Sequence, residues 1–281
     1  MINSKSIRAK LKNIADNNNI DFQSCITRFL HERIIYRISI SEYRDCFILK
    51  GGNLIYYLFK MNARPTIDVD LLCKGVENNS IELVDVFKRI LSIKVDDAVW
   101  FNKDNISTEI IAERNKYNGI RLILSGGFDT IKQNIHIDIG FGDSITPQPV
   151  NISFPVLLET MQIPDLLAYN AETVIAEKFQ TMIFLADFNS RMKDFFDVYT
   201  LLESGQYDKE VLKDAVIATF RNRNTHYAEN HILFSDEFAN NQNRNKIWKA
   251  FLKKINYKGV LQFRDVIDKI CTELKPVWDN L

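Results

Sequence analysis

The chain has 281 residues, of which 46% are apolar, enough to bury a substantial core in one large domain or two modest ones and too many for a disordered protein. Lys plus Arg and Asp plus Glu each number 36, so overall attraction to a polyanion is excluded and any contact with nucleic acid has to come from a local basic patch. Cys25, Cys46, Cys73 and Cys271 form no close pair of the zinc-knuckle or redox-dithiol kind, which suits reduced thiols in a cytoplasm. The opening MINSKSIRAKLKNIADNNN has no apolar signal core, and apolar runs such as Phe47 to Leu49 are soon broken by charge, so neither secretion nor a membrane span is expected.

In chain order, residues 4 to 16 and 22 to 39 read as helices, with Ile7, Leu11 and Ile14 on one face and Phe22, Cys25, Ile26, Phe29 and Leu30 on another. Phe47-Ile48-Leu49-Lys50 leads to a turn or helix start at Gly51-Gly52, followed by an apolar helix over Leu54 to Phe59. Thr66 to Leu72 alternates apolar and acidic side chains, the period of a strand with one buried and one charged face. Residues 80 to 93 form an amphipathic helix, and Gly119 to Leu124 and Ile135 to Phe141 two strands joined by a turn around Ser125-Gly126-Gly127. After a strand-like Ile152 to Leu158, Asn170 caps a helix from about Ala171 to Ala186, with Glu172 in its first turn. A loop at 187–190 precedes a helix over Arg191 to Leu202, and the chain beyond Lys209 is mostly helical, interrupted at 221–230 and 240–243. There is no internal repeat and no Pro-rich or Gly-rich linker.

The chemistry-bearing segment is Gly51-Gly52 followed by Arg64-Pro65-Thr66-Ile67-Asp68-Val69-Asp70. Residues i and i+2 of a strand point the same way, so Asp68 and Asp70 present two carboxylates to one hard cation. Magnesium uses such oxygens together with substrate phosphates, and glycines at a helix start let backbone amides approach phosphate closely. Each part alone is commonplace, since an acidic strand edge is more often solvated than metal-bound and Gly-Gly is more often a turn. Asp138 either completes a carboxylate triad or caps the turn at Gly140-Phe141-Gly142; Asp143, in that turn, is a weaker candidate. Thr66 either bonds phosphate or satisfies the strand's polar edge. His31, His136, His226 and His231 lack metal-like spacing and read as core or surface residues, and the aromatic residues read as packing.

FILKGGNLIYYLFKMNARPTIDVD, residues 47–70, resembles the opening motif of the AbiEii/AbiGii toxin family of abortive-infection and type IV toxin–antitoxin systems. Tyr117 to Leu122 with Ile135 to Ile139 resembles that family's paired strands, the second supplying a third acidic residue. Glu172 to Lys178 resembles its Ala-Glu-Lys helix, and Arg191 to Tyr199 its Arg-x-Lys-Asp-x-x-Asp-x-Tyr element. The resemblance covers residues 20 to 205. It implies an α/β (α+β) nucleotidyltransferase core with a polymerase β-like mixed sheet, flanking N-terminal helices and a mostly helical C-terminal region, divided at about residues 1–160 and 161–281.

The resemblance further implies catalytic roles for Asp68, Asp70, Lys178 and Asp194, metal ligation by Asp68, Asp70 and Asp138, and nucleotide binding by Gly51, Gly52, Asn53, Thr66 and Lys193. Lys178, which on its own reads as one more solvated helical lysine, would touch the triphosphate. Asp194 would orient Lys178 or the nucleotide, and Lys193 and Arg191 would grip phosphate or an RNA backbone. Asp197, one turn after Asp194, suits a structural ion pair, for instance with Arg64, as well as a catalytic role. The activity expected is transfer of a nucleoside monophosphate from an NTP, with Mg2+ or Mn2+, to a tRNA 3′ end or a protein, restrained by an antitoxin partner. Two other readings of the residues stay open: a D-x-D glycosyltransferase, and a non-catalytic binder of nucleotide or a partner protein.

Overall fold

Helices α1 (Ser4–Asn18) and α2 (Phe22–Ser39) form where the 3.6-residue pattern and the caps agree. Asn3 accepts from the Lys5 amide and Asp21 from the Ser24 amide, and Asn19 closes α1 in the left-handed conformation that Asn tolerates. The computed structural model describes residues 3–111 and 118–281. They fall into two units, one of residues 1–142 and 150–168, the other of residues 143–149 and 169–281.

In the first unit α2 is buried almost all round, so it has to neutralise its own charges. Arg33 pairs with Glu32 at 2.7 Å, the Leu157 amide donates to Glu32 Oε2 at 2.7 Å, and Arg37 forks onto both oxygens of Asp97 at 2.7 and 3.1 Å. Burial pushes the Glu32 carboxyl up to about 7 even with Arg33 beside it.

The chain continues as β1 (Phe47–Lys50), α3 (Gly51–Phe59), β2 (Asp68–Cys73), α4 (Ser80–Ser92), β3 (Trp100–Phe101) and β4 (Ser107–Ile111). The later strands are β5 (Gly119–Phe128), β6 (Ile131–Phe141), β7 (Val150–Ser153) and β8 (Asp165–Ala168). They form one mixed sheet in the order β3-β5-β6-β2-β1-β8-β7, with β4 also on β5, and the β2–β6 and β1–β8 pairs are parallel. Buried side chains on β1, β2 and β6, such as Leu49, Val69, Leu71 and Ile137, make the core beneath helices α2 and α3.

Three local expectations need correction. Ser125-Gly126-Gly127 is strand, not turn; the hairpin reverses at Asp129-Thr130, with Asp129 at φ 51°. The glycines are there because side chains do not fit: a Cβ on Gly126 would lie 2.6 Å from the Phe101 ring, and one on Gly127 1.9 Å from the Ile131 carbonyl oxygen. The strand expected over Ile152 to Leu158 ends at Ser153, and residues 47–50, read only as a lead-in to the glycines, form a central strand. Tyr117 of the family-like strand pair lies outside the described residues.

The second unit is built from α5 (Ala171–Leu185), α6 (Met192–Ser204), α7 (Lys209–Asn222), α8 (Asp236–Asn240), α9 (Gln242–Lys254) and α10 (Phe263–Trp278). Asn170 caps α5 by accepting from the Thr173 amide at 2.8 Å. Glu172 does more than favour the helix dipole, since it also accepts from the Asp208 amide at 2.8 Å and so ties the start of α7 to α5. Of the polar stretch 240–243 a single residue separates two helices: Asn241 accepts from the Arg244 amide at 3.0 Å and caps α9. Phe195, Phe196, Phe238, Trp248 and Phe263 pack in tilted and edge-on pairs as the aromatic centre of this unit.

Candidate active site

On β2 the alternation puts Val69 and Leu71 into the core and leaves Asp68 and Asp70 partly buried on the other face. Register does the rest. Asp70 lies opposite Asp138 of β6 on one side and Lys50 of β1 on the other, while Arg121 of β5 lies opposite Asp138. A single cross-strand row therefore reads Lys50, Asp70, Asp138, Arg121, two acids flanked by two bases, with Asp68 two residues away on the face of Asp70. Carboxylate oxygens of Asp68, Asp70 and Asp138 lie within 4.8 Å of one another. Asp138 accordingly joins the acidic cluster, the carboxylate-triad alternative of its two readings.

The surrounding residues hold this cluster in place. Gly51 adopts φ +63°, and a Cβ there would stand 1.9 Å from Asp70 Oδ2. The Gly52 amide donates to that same oxygen at 3.2 Å, and a Cβ on Gly52 would stand 2.3 Å from Thr66 Oγ1. Thr66 Oγ1 donates to Asp68 Oδ1 at 2.9 Å. The two glycines thus let the start of α3 lie directly against the carboxylate edge. Asn53 is buried, its amide donating to the Asp68 carbonyl at 2.9 Å and lying 3.4 Å from His31 Nδ1. In this arrangement Asn53 supports the strand from beneath. His31 is fully buried under it, and burial lowers its imidazole to about 4, so it stays neutral at ordinary pH.

Arg121 is the residue that reading the sequence did not single out. Its Nε and Nη2 donate to the two oxygens of Asp138 at 2.6 and 2.7 Å, a fork that fixes the carboxylate plane. That hydrogen bonding raises the guanidinium above its ordinary value.

In the second unit Lys178 of α5 meets α6: its ammonium lies 2.6 Å from Asp194 Oδ1 and 3.0 Å from Asp197 Oδ2. Arg191 Nε donates to the other oxygen of Asp194 at 2.6 Å. Burial alone would raise the Asp194 carboxyl, but Lys178 and Arg191 beside it hold it well below the usual range. The expected pairing of Lys178 with Asp194 is therefore present, and Asp197 shares the same cation. Lys193, half-buried on α6, forms no ion pair among the described residues. Asp143, the weaker metal candidate, is bound instead by Arg223 at 2.8 Å.

Hard oxygen donors of this number and spacing suit a small divalent cation: octahedral magnesium with bonds of about 2.0–2.1 Å spans roughly 4 Å between opposite ligands, close to the separation here. Three carboxylates gathered this closely raise the local negative charge, for which a cation is a natural counterpart.

A mixed sheet that gathers a D-x-D strand and a third acid on its parallel neighbour, beside a glycine-opened helix, defines an α/β core of the nucleotidyltransferase class. The chain belongs to the nucleotidyl transferase AbiEii toxin family of type IV toxin–antitoxin systems, whose signature spans residues 33–269. It is similar to JHP933 from Helicobacter pylori, with 14% identity, 92% of this chain and 93% of that one covered, and a TM-score of 0.49. It is also similar to an antigenic nucleotidyltransferase-like protein from Paracoccidioides brasiliensis, with 9% identity, coverage of 90% and 92%, and a TM-score of 0.41. No curated protein matches. Family membership makes the chain a nucleotidyltransferase with an NTP substrate and an antitoxin partner. Among the described residues no helix is long and apolar enough to cross a membrane.

Proposed function

We propose that this nucleotidyltransferase works with Mg2+ or Mn2+ held by Asp68, Asp70 and Asp138, in the cytoplasm, and transfers a nucleoside monophosphate to the 3′ hydroxyl of a tRNA. The observation that carries the reading is the convergence of three carboxylates from β2 and β6 within 4.8 Å. In the step proposed, the acceptor oxygen bonds to the α-phosphorus, the bond to the bridging oxygen of pyrophosphate breaks, and the hydroxyl proton leaves to solvent or a carboxylate. A bound divalent ion would favour the attacking hydroxyl's ionised form and neutralise charge on the departing pyrophosphate.

The chain's own residues prepare that step. Thr66 and the Gly52 amide hold the Asp68 and Asp70 carboxylates in orientation, and Arg121 does the same for Asp138. Gly51 and Gly52 let the start of α3 lie against the Asp70 carboxylate and Thr66, and Asn53 keeps β2 in position. Lys178, steadied by Asp194 and Asp197, is assigned to phosphate charge, with Lys193 as a second cation.

The test is incubation of the purified chain with each labelled NTP and total RNA, and in parallel with a protein lysate. Label in RNA that is lost on adding a chelator and in Asp68→Asn supports the reading. Label in protein alone overturns the RNA acceptor, and hydrolysis of sugar nucleotides without NTP turnover overturns the transfer itself.

A further inference from the structure

With charges balanced across the whole chain, nucleic-acid binding needs a local patch, and the second unit has one. From residue 238 to residue 264 there is no Asp or Glu, while Lys246, Lys249, Lys253, Lys254 and Lys258 all fall in this stretch and all are exposed. Among the described residues none of the five is in an ion pair. The two arginines of the same stretch behave differently: Arg244 is buried against the Phe238 and Asp187 carbonyls, and Arg264 pairs with Asp236 at 2.7 Å.

The face is a consequence of how α9 packs. Arg244 and Trp248 are buried, and Phe251, Leu252 and Ile255 are half-buried on the same stripe, so Lys246, Lys249 and Lys253 line the opposite one at i, i+3 and i+7. Lys253 and Lys254 have a structural reason to be there, since cations favour a helix C-terminus. Lys246 and Lys249 have none, and they repel their neighbours without compensation from any acid in the segment. Exposed Asn240, Gln242 and Asn243 at the other end of the face add side-chain amides of the kind that bond phosphate and sugar oxygens. Lysine is depleted from protein–protein interfaces and is a main contributor of phosphate contacts, which favours a polyphosphate over an acidic protein as the occupant.

We propose that this face of α9, with Lys258 beyond it, docks the phosphate backbone of the acceptor RNA through displacement of its counterions, without reading base sequence. The proposal rests on the reading above that the acceptor is RNA. It assigns the lysines a positioning role, separate from the carboxylates.

The experiment measures binding of labelled bulk tRNA to the full-length chain by anisotropy over a series of salt concentrations. The triple variant Lys246→Gln, Lys249→Gln, Lys253→Gln is compared with the Arg triple at the same positions. Gln has a helix propensity close to that of Lys, and the inward stripe is untouched. The Gln triple is expected to weaken binding by about tenfold or more and to flatten the log–log salt slope by about 2 to 3, one increment per lost phosphate contact, while the Arg triple keeps both. Lys249→Gln alone, expected to flatten the slope by about 1, serves if the triple fails to fold. RNA binding by the unmodified chain without any labelled product leaves this face standing and removes the RNA-acceptor reading. Equal slopes in all variants, no tRNA binding by the unmodified chain, or loss of binding to a protein partner with RNA binding unchanged would each overturn the proposal.

Discussion

Gly51 and Gly205 share a backbone angle and differ in surroundings, which makes them a controlled pair. Both adopt φ +63°; a Cβ on Gly51 would stand 1.9 Å from Asp70 Oδ2, whereas one on Gly205 would meet nothing within 4 Å. Replacing either by Ala places an L-residue in the left-handed region, a cost of about 1–2 kcal/mol. Only at Gly51 does the new methyl displace anything. Ordinary contact begins at 3.4 Å, so the Asp70 carboxylate would have to retreat by about 1.5 Å, and misplacements of about 1 Å in a reacting constellation cost on the order of 100-fold. Thermal unfolding with and without Mn2+, together with the rate of label transfer, separates the two effects. Gly205→Ala should lose only a few degrees of Tm, about 2–4 °C per kcal/mol, and keep its rate. Gly51→Ala should show a similar Tm loss without metal, lose most of the metal-induced stabilisation and slow transfer by about two orders of magnitude. Equal rates for the two variants would refute the claim that Gly51 is glycine because Asp70 needs the space.

His31 makes the chain sensitive to acid. Its neutral form is favoured when folded, at about 4 against an ordinary 6.5, so its contribution is complete above 6.5 and is lost as pH falls from 6.5 to 4. That gap is worth about 3 kcal/mol, and urea midpoints for His31→Gln should fall less steeply over this range than those of the unmodified chain. Glu32, pushed up to about 7, acts in the opposite sense in both proteins, losing stability as pH rises from 4.5 to 7, so the comparison isolates His31. Parallel curves would contradict the burial argument. Arg37→Leu should destabilise the first unit by about 3–5 kcal/mol in urea unfolding because it strands the buried Asp97 carboxylate. Adding Asp97→Leu should recover most of that; no recovery would mean the fork is not the cause. Lys178→Ala should lower kcat by about 10²- to 10³-fold, the scale for removing one preorganised charge from a transition state, and an unchanged kcat would take Lys178 out of the chemistry.

The D-x-D face was legible because strand alternation is local: reading Thr66 to Leu72 at period 2 is enough to put Asp68 and Asp70 together. The helix limits at Asn170 and Asp21 were legible from capping chemistry for the same reason. Register across strands is not local. Arg121 sits opposite Asp138 because equal numbers of residues run outward from the reversal at Asp129-Thr130, and placing the turn at Ser125-Gly126-Gly127 hid that pairing. The misplacement has a physical cause, since those glycines answer to Phe101 and the Ile131 carbonyl, which are invisible until the sheet is assembled. From sequence His31 reads as a core or surface histidine, and nothing in its neighbours along the chain places it beneath Asn53 and the D-x-D strand. The Lys178–Asp194 pair came from motif likeness; spacing of 16 residues across a loop carries no geometric information by itself.

Asp68, Asp70 and Asp138 are proposed to hold one divalent cation together. Titration of Mn2+ into the chain in the presence of a non-hydrolysable NTP analogue, followed by electron paramagnetic resonance, reads that binding. Bound Mn2+ that is lost or sharply weakened in each of Asp68→Asn, Asp70→Asn and Asp138→Asn, but retained in Asp143→Asn, is the result expected. Undiminished Mn2+ binding in the first three variants would contradict it.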